Sequence, residues 1–380
     1  MDEKVKILVL CYEYPPLGGG GGRVAQSIAE QMVARGHEVR VQTAALGWRS
    51  VRETIGGVEI CRTASGRRAP DTCHVHEMAA YCATSFFPTL RHIRAWKPDV
   101  IHAHFAMPTG LLAWVVHRLT GVPYVLTAHL GDVPGGVPEQ TDTLFKFIGP
   151  IARQVWHRAA ATTAVSSFVQ ELAERAYGRK VERILNGIDL GDVRRLPPEP
   201  RRMRHLIFIG RLNPQKNPGF VLDVLARFIR LPWRLTFIGD GPLMSHLRER
   251  IARYGLGDQV TMTGWLEAAD VHRRLDDADI LYMPSLSEGL PVAAIEALKY
   301  GLAIVASDIP GMRDVVDDGV NGYSIPLGDL EAFEHKLKWL LESDATLFAM
   351  KHASWEKARA FDLRAIADQY ERVLLHAAGR

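Results

Sequence analysis

The stretch Tyr282–Ser307, YMPSLSEGLPVAAIEALKYGLAIVAS, decides the fold. It reads as the end of a buried strand, a tight turn, a helix and a second buried strand. Pro291 fits the first helical position, where its missing amide costs nothing and its fixed φ suits the helix. The amides of Val292 and Ala293 then point out of the helix N-terminus, where hydrogen bonding and the dipole both favour a phosphate. Glu288 and Glu296 are eight residues apart, a little over two helical turns. Glu288 therefore sits in the turn before the helix and Glu296 about a turn and a half inside it. This layout suits a ligand with a sugar at one end, a diphosphate in the middle and a ribose at the other. Glu288 would accept sugar hydroxyls, the amides would hold phosphate, and Glu296 would accept both ribose hydroxyls.

The run Glu288-Gly289-Leu290-Pro291, followed by Ile295-Glu296-Ala297, resembles the Glu-x7-Glu motif of retaining GT-B glycosyltransferases of the family 4 group. A lone pair of glutamates at this spacing is more often a feature of a surface helix. Here Pro284-Ser285 before it and the Gly301–Ser307 strand after it also fit the family.

At 380 residues the chain exceeds the size one core usually serves, so two domains are expected. Its 47% hydrophobic content argues against wholesale disorder. The formal charge of +3 leaves no footprint for nucleic acid. Residues 1–190 hold 21 Lys and Arg against 17 Asp and Glu, a slightly basic half that hints at anionic or membrane-surface partners. Four irregularly spaced cysteines, Cys11, Cys61, Cys73 and Cys82, read as buried or reduced thiols of a cytosolic protein. The charged start and short apolar run behind it do not read as a signal peptide. No stretch reaches the about 18 apolar residues of a membrane span.

Lys6–Leu10 reads as a buried strand, Cys11–Gly22 as a long Pro- and Gly-rich loop, Arg23–Arg35 as a helix and His37–Gln42 as a strand. That is the phosphate-binding βαβ unit of doubly wound folds. A nicotinamide cofactor is the rival reading. The connection is too long for its tight turn, and Val41-Gln42-Thr43 lacks its acidic ribose ligand. The resemblance instead places a Gly-Gly pair at Gly19-Gly20, whose backbone would approach a diphosphate or sugar. The extra Gly21-Gly22 departs from the family pattern and implies a loop mobile until substrate binds.

Arg49–Arg68 reads as a hairpin with a basic loop. Phe86–Lys97 is either a helix packed on the sheet or a membrane-surface helix with one apolar and one basic face. Pro98–His104 and Tyr124–His129 read as strands with histidines at their C-terminal ends, and Thr109–Leu119 as the helix between them. His102-x-His104 lacks a carboxylate or cysteine at ligand spacing, so metal is not expected there. The resemblance places His129 beside the reacting sugar, a buried structural histidine being the alternative. Gly131–Thr141 is expected as an acceptor-facing loop, Gly149–Ala160 as a helix, and Ser166-Ser167 as a helix cap. Ile184–Asp189 resembles the family's segment at the domain junction, and Leu196–Arg204 has the composition of a linker.

The pattern then restarts with strand His205–Ile209, helix Pro218–Arg230 and strand Arg234–Ile238. Gly210-Arg211-Leu212 to Lys216-Asn217 puts two cations on a loop at a strand end, suited to a pyrophosphate. It resembles the family motif whose cations hold the donor diphosphate. After strand Val260–Trp265, the resemblance sets the Leu266 backbone against the nucleobase. Asp277-x-Asp279 imitates a metal-binding pair but reads as structural. Asp329–Glu342 is expected as a helix, and Ala353–Ala378 as two more.

The resemblance implies a GT-B fold, two doubly wound Rossmann-like domains facing a central cleft, with the C-terminal helix crossing back. The expected domains are 1–190 plus 362–380 for the acceptor and 191–361 for the donor. The expected reaction is metal-independent hexosyl transfer from a UDP- or GDP-linked sugar to an acceptor hydroxyl, with retained configuration. The expected catalytic residues are His129, Arg211, Lys216 and Glu288. Donor-binding residues add Gly19, Gly20, Gly210, Leu266, Gly289, Leu290, Pro291, Val292, Ala293 and Glu296. Asp132 and Glu13 are weaker candidate helpers. Expected partners are the nucleotide sugar and an acceptor glycan, glycolipid or small hydroxylated molecule, with weak peripheral membrane contact, no nucleic acid and no further cofactor. A cytoplasmic site, peripheral on the inner membrane face, goes with this reading. A sugar-nucleotide epimerase, a nicotinamide oxidoreductase and a non-catalytic sugar-nucleotide sensor are the alternatives.

Overall fold

The computed structural model describes residues 4–70, 72–191 and 202–380, with the side chains of 138–147 not included. It divides into two units, residues 1–187 with 363–380, and residues 188–362.

The first unit is built on strands β1 (Lys6–Leu10), β2 (Glu38–Leu46), β3 (Val51–Ile55), β4 (Val58–Arg67), β5 (Val100–His104), β6 (Tyr124–Ala128), β7 (Ala161–Ala164) and β8 (Glu182–Arg183). They lie in the order β3-β4-β2-β1-β5-β6-β7-β8, all parallel except β3. The β3–β4 hairpin turns through Gly56-Gly57, both at positive φ. The central strands read as continuous apolar runs because both faces are covered, and Leu8, Leu10, Ile101 and Leu126 are buried in the core. The covering helices are α1 (Gly20–Ala34), α2 (Val75–Trp96), α3 (Leu111–Thr120), α4 (Pro138–Arg158) and α5 (Ser167–Tyr177). Ser166 caps α5 by accepting from the Val169 amide.

The C-terminal helix Leu363–Ala377 belongs to this unit. Arg35, just past α1, pairs with its Asp368 at 2.5 Å and its Glu371 at 3.1 Å. His37 Nε2 lies 2.7 Å from the other Glu371 oxygen. Tyr370 is buried with its ring centroid 5.4 Å from that of His102.

In the second unit β9 (Arg204–Ile209), β10 (Trp233–Ile238), β11 (Val260–Met262), β12 (Ile280–Met283), β13 (Ala303–Ser307) and β14 (Gly322–Ile325) form a wholly parallel sheet. Its order is β11-β10-β9-β12-β13-β14. The helices are α6 (Pro218–Leu225), α7 (Met244–Arg253), α8 (Ala268–Asp276), α9 (Val292–Lys299), α10 (Leu330–Glu342) and α11 (Asp344–Lys357). The sequence runs outward from β9 in both directions. The switch point therefore falls between β9 and β12, where open α/β sheets bind ligands at the strands' carboxyl ends.

Several boundaries differ from the sequence reading. Helix α1 starts at Gly20 rather than Arg23, so Gly20–Gly22 form its first turn instead of a loop. Those glycines admit close packing: a Cβ on Gly22 would sit 2.7 Å from the Glu13 carbonyl oxygen. Helix α4 begins at Pro138, a proline at the helix start, eleven residues before the expected Gly149. It therefore takes up the end of the expected Gly131–Thr141 loop. Pro291 is the N-cap of α9, with ψ of 117° outside the helical range, and Val292 is the first helical residue. Strand β11 stops at Met262, and α11 opens at Asp344 behind a Ser343 cap. Helix α2 turns Leu90, Ile93 and Trp96 into the core, which favours the sheet-packing reading of Phe86–Lys97. Most of the expected Leu196–Arg204 linker lies outside the described residues, and Arg204 opens β9.

Candidate functional site

Two loops flank the switch point of the second unit. The one after β9 carries Gly210, Arg211 and Lys216, and the one after β12 carries Pro284–Glu288. They are knitted together by two hydrogen bonds: the Leu286 amide donates to the Gln215 carbonyl at 2.8 Å, and the Gln215 side-chain Nε2 to the Ser287 carbonyl at 3.0 Å. Asn213 Oδ1 accepts from the Lys216 amide at 3.1 Å, which shapes the short helical turn Pro214–Lys216. The result places Lys216 Nζ 2.5 Å from Glu288 Oε1. Glu288 is nearly buried, its side chain 7% exposed against 20% for Lys216.

Glycine makes this packing possible. A Cβ on Gly239 would sit 2.0 Å from the Gly210 carbonyl oxygen, and one on Gly241 2.6 Å from that of Leu212. A Cβ on Gly311, in the loop after β13, would sit 1.8 Å from the Glu288 carbonyl oxygen. Gly239 and Gly241 thus press on the cation loop and Gly311 on Glu288, contacts that no local sequence pattern marks. The aliphatic stem of Lys216 runs 3.6 Å from the Cβ position of Gly210.

Gly289, Leu290 and Pro291 carry the chain from Glu288 into α9, with Leu290 and Pro291 buried. The first amides of a helix have no intrahelical acceptor, so those of Val292 and Ala293 present donors one turn from Glu288. Arg211 is half-buried on the β9 side. Leu266, half-buried, lies in the loop between β11 and α8. Glu296 is in the second turn of α9, its side chain 15% exposed, with His272 Nε2 of α8 at 3.7 Å. His272 was absent from the sequence reading. Nothing local marks it, because its link to Glu296 depends on how two helices pack.

Asp277 and Asp279 serve different partners. Asp277 pairs with Arg234. Asp279, buried, accepts from the His205 amide at 3.0 Å and from Lys351 Nζ at 2.7 Å.

In the first unit, His129 follows β6 with its ring stacked on Phe105, centroids 4.3 Å apart. Phe105 holds a φ of 72°, rare for an aromatic residue. A Cβ on Gly21 would lie 2.6 Å from Phe105 Cζ and 3.3 Å from His129 Cε1, so the start of α1 runs directly against both rings. Gly19, the N-cap of α1, donates its amide to Glu13 Oε2 at 3.3 Å. His129 Nε2 is buried and lacks a hydrogen-bond partner. Burial pushes the imidazole down to about 4, so it is neutral near pH 7. Asp132 accepts from the His129 amide at 2.8 Å. Burial pushes its carboxyl up to about 7 against the opposing pull of the backbone amides of His129, Met107 and Ala106.

These two units match two family models in tandem. Glycosyltransferase Family 4 matches residues 18–192, and Glycosyl transferases group 1 matches residues 194–360. The chain belongs to the glycosyltransferase family 4 group. Curated relatives include a phosphatidyl-myo-inositol mannosyltransferase of Mycobacterium leprae, 27% identical over 97% of this chain and 96% of that one. A putative teichuronic acid biosynthesis glycosyltransferase, TuaC of Bacillus subtilis, is 28% identical over 77% of this chain and 75% of its own. Among solved structures, sucrose-phosphate synthase from Thermosynechococcus elongatus superposes with a TM-score of 0.82, at 19% identity and 97% and 98% coverage. HepE of Anabaena, solved with UDP and glucose, superposes with a TM-score of 0.77 at 19% identity, covering 98% of this chain and all of its own. The fold is GT-B, and the protein is a glycosyltransferase of the kind that uses nucleotide sugars.

Proposed function

We propose that this glycosyltransferase moves a hexosyl group from a UDP- or GDP-linked sugar to an acceptor hydroxyl, with retained anomeric configuration and without a metal. The observation that carries the reading is the Lys216–Glu288 pair at the switch point, beside the N-terminus of α9. One cation, one carboxylate and a set of free helix amides are the complement of a sugar diphosphate.

In this reading Arg211, Lys216 and the Val292 and Ala293 amides neutralise charge growing on the departing diphosphate, a stabilisation that is largest in the transition state. Glu288 accepts hydroxyls of the transferred sugar, and neutral His129 is the second group that hydrogen-bonds it. The Gly19-Gly20 backbone approaches the diphosphate or sugar. Leu266 meets the base through its backbone and Glu296 the ribose. The bond from the anomeric carbon to the phosphate oxygen breaks, and a bond to the acceptor oxygen forms on the same face. The acceptor's proton passes to the departing phosphate, so no protein nucleophile is required. Relatives named for phosphatidyl-myo-inositol and for D-inositol 3-phosphate support a hydroxylated acceptor, free or lipid-linked. Among the described residues no helix is long and apolar enough to cross a membrane. A cytoplasmic protein, peripheral at the inner membrane face, fits that class of acceptor.

A thermal-shift panel of nucleoside diphosphates and nucleotide sugars identifies the donor, since bound ligand raises stability by mass action. Turnover in excess EDTA, with the product's anomeric configuration read by proton NMR, then tests the mechanism. Retained configuration with undiminished rate supports it. An inverted product, or activity lost to EDTA and restored by a divalent ion, overturns it.

A further inference from the structure

We propose that His272 is a positioning residue for Glu296 and, through it, sets how tightly the donor's ribose is held. The inference rests on the ribose role of Glu296 proposed above.

Glu296 stands on a helix whose neighbouring residues Ala294, Ile295, Ala297 and Leu298 are buried. Its carboxylate is mostly shielded and faces α8. Val271 and Leu275 anchor α8 to the core, which leaves the intervening His272 on the side that meets Glu296, with its ring 42% exposed. Nε2 stands 3.7 Å from Glu296 Oε1. The ring centroid is 5.9 Å from that of Tyr300, one helical turn beyond Glu296. The His272 ring thus lies beside both Glu296 and Tyr300.

A carboxylate offers about four lone-pair directions, and a vicinal diol needs two of them in one plane. At 3.7 Å the imidazole is beyond a hydrogen bond, but it occupies the space into which the carboxylate would otherwise rotate. It also presents a polar N–H edge to Oε1 in the Nε2-protonated tautomer. Both effects restrict Glu296 to the orientation in which its other oxygen points away from α8. Without the ring the carboxylate samples more rotamers, and diol binding must then order it.

The test is calorimetric titration of the intact protein with UDP and GDP, each compared with its 2′,3′-dideoxy counterpart. Wild type is expected to prefer the ribonucleotide, and Glu296→Ala to abolish that preference. His272→Ala is expected to weaken ribonucleotide binding about tenfold while leaving the dideoxynucleotide within about twofold. His272→Gln, which fills the space and keeps a donor, is expected to restore most of the loss. If His272→Ala weakens both nucleotide forms equally, or neither, the positioning role is overturned while the Glu296 result still stands. If Glu296→Ala retains the preference, or wild type shows none, the ribose reading itself fails and the inference falls with it.

Discussion

Lys216 Nζ lies 2.5 Å from Glu288 Oε1 across 72 residues of sequence. The pair joins the cation loop after β9 to the turn before α9, and in the proposed reaction each partner exchanges the other for part of the donor. Lys216→Ala is expected to lower kcat about 10²–10³-fold, the loss typical of one preorganised charge donor. Steady-state kinetics alongside a melting curve check it. A variant that melts like wild type and turns over at the wild-type rate would remove Lys216 from the mechanism.

Gly311 backs the Glu288 carbonyl at a distance no side chain tolerates. Gly311→Ala must displace the Glu288 turn, with an expected stability loss of about 1–3 kcal/mol and reduced kcat. Denaturant unfolding combined with kinetics measures both. Unchanged values for both would mean that the loop after β13 moves aside freely.

Burial holds His102 down to about 3, His129 to about 4 and His104 well below its ordinary value. Each stays neutral in the folded chain where the unfolded chain takes up a proton, below about pH 6.5, so its contribution is present above that pH and lost as pH falls. Asp132, raised to about 7, acts in the opposite sense: its contribution is present in acid and lost as pH rises toward 7. Together they amount to about two protons taken up on unfolding between pH 6 and 5, so stability falls with pH in that window. His104 has no hydrogen-bond partner at either ring nitrogen. His104→Leu is therefore expected to cut the pH dependence by about 1.4 kcal/mol per pH unit. Urea unfolding of both proteins at pH 6 and pH 5 reads the difference. Parallel slopes would show that His104 titrates normally.

Lys351 and Asp279 form an ion pair with side chains 2% and 4% exposed. Lys351→Met removes the ammonium that pairs with a buried carboxylate, at an expected cost of about 3–5 kcal/mol. The double variant Lys351→Met/Asp279→Asn is expected to recover part of that loss, because Asn still accepts from the His205 amide. Additive losses in the double variant would show that the charges do not act as a pair.

Most strands and the two switch-point loops were legible in the sequence, because a buried parallel strand is a short apolar run bounded by turn residues. Helix starts were less so. Gly20–Gly22 reads as loop by propensity, yet it forms the first turn of α1, where a Cβ on Gly22 would press on the Glu13 carbonyl and one on Gly21 on the Phe105 and His129 rings. Pro291 likewise suits the first helical position by its fixed φ, and the structure makes it the cap.

The sequence by itself determined two α/β units, a cation loop and a glutamate turn, since each depends on residues close along the chain. Only the tertiary structure decided that Lys216 meets Glu288, that Gly311 presses on Glu288, and that His272 flanks Glu296. Those meetings depend on the order of strands in the sheet and the packing of α8 beside α9, and no local periodicity records either.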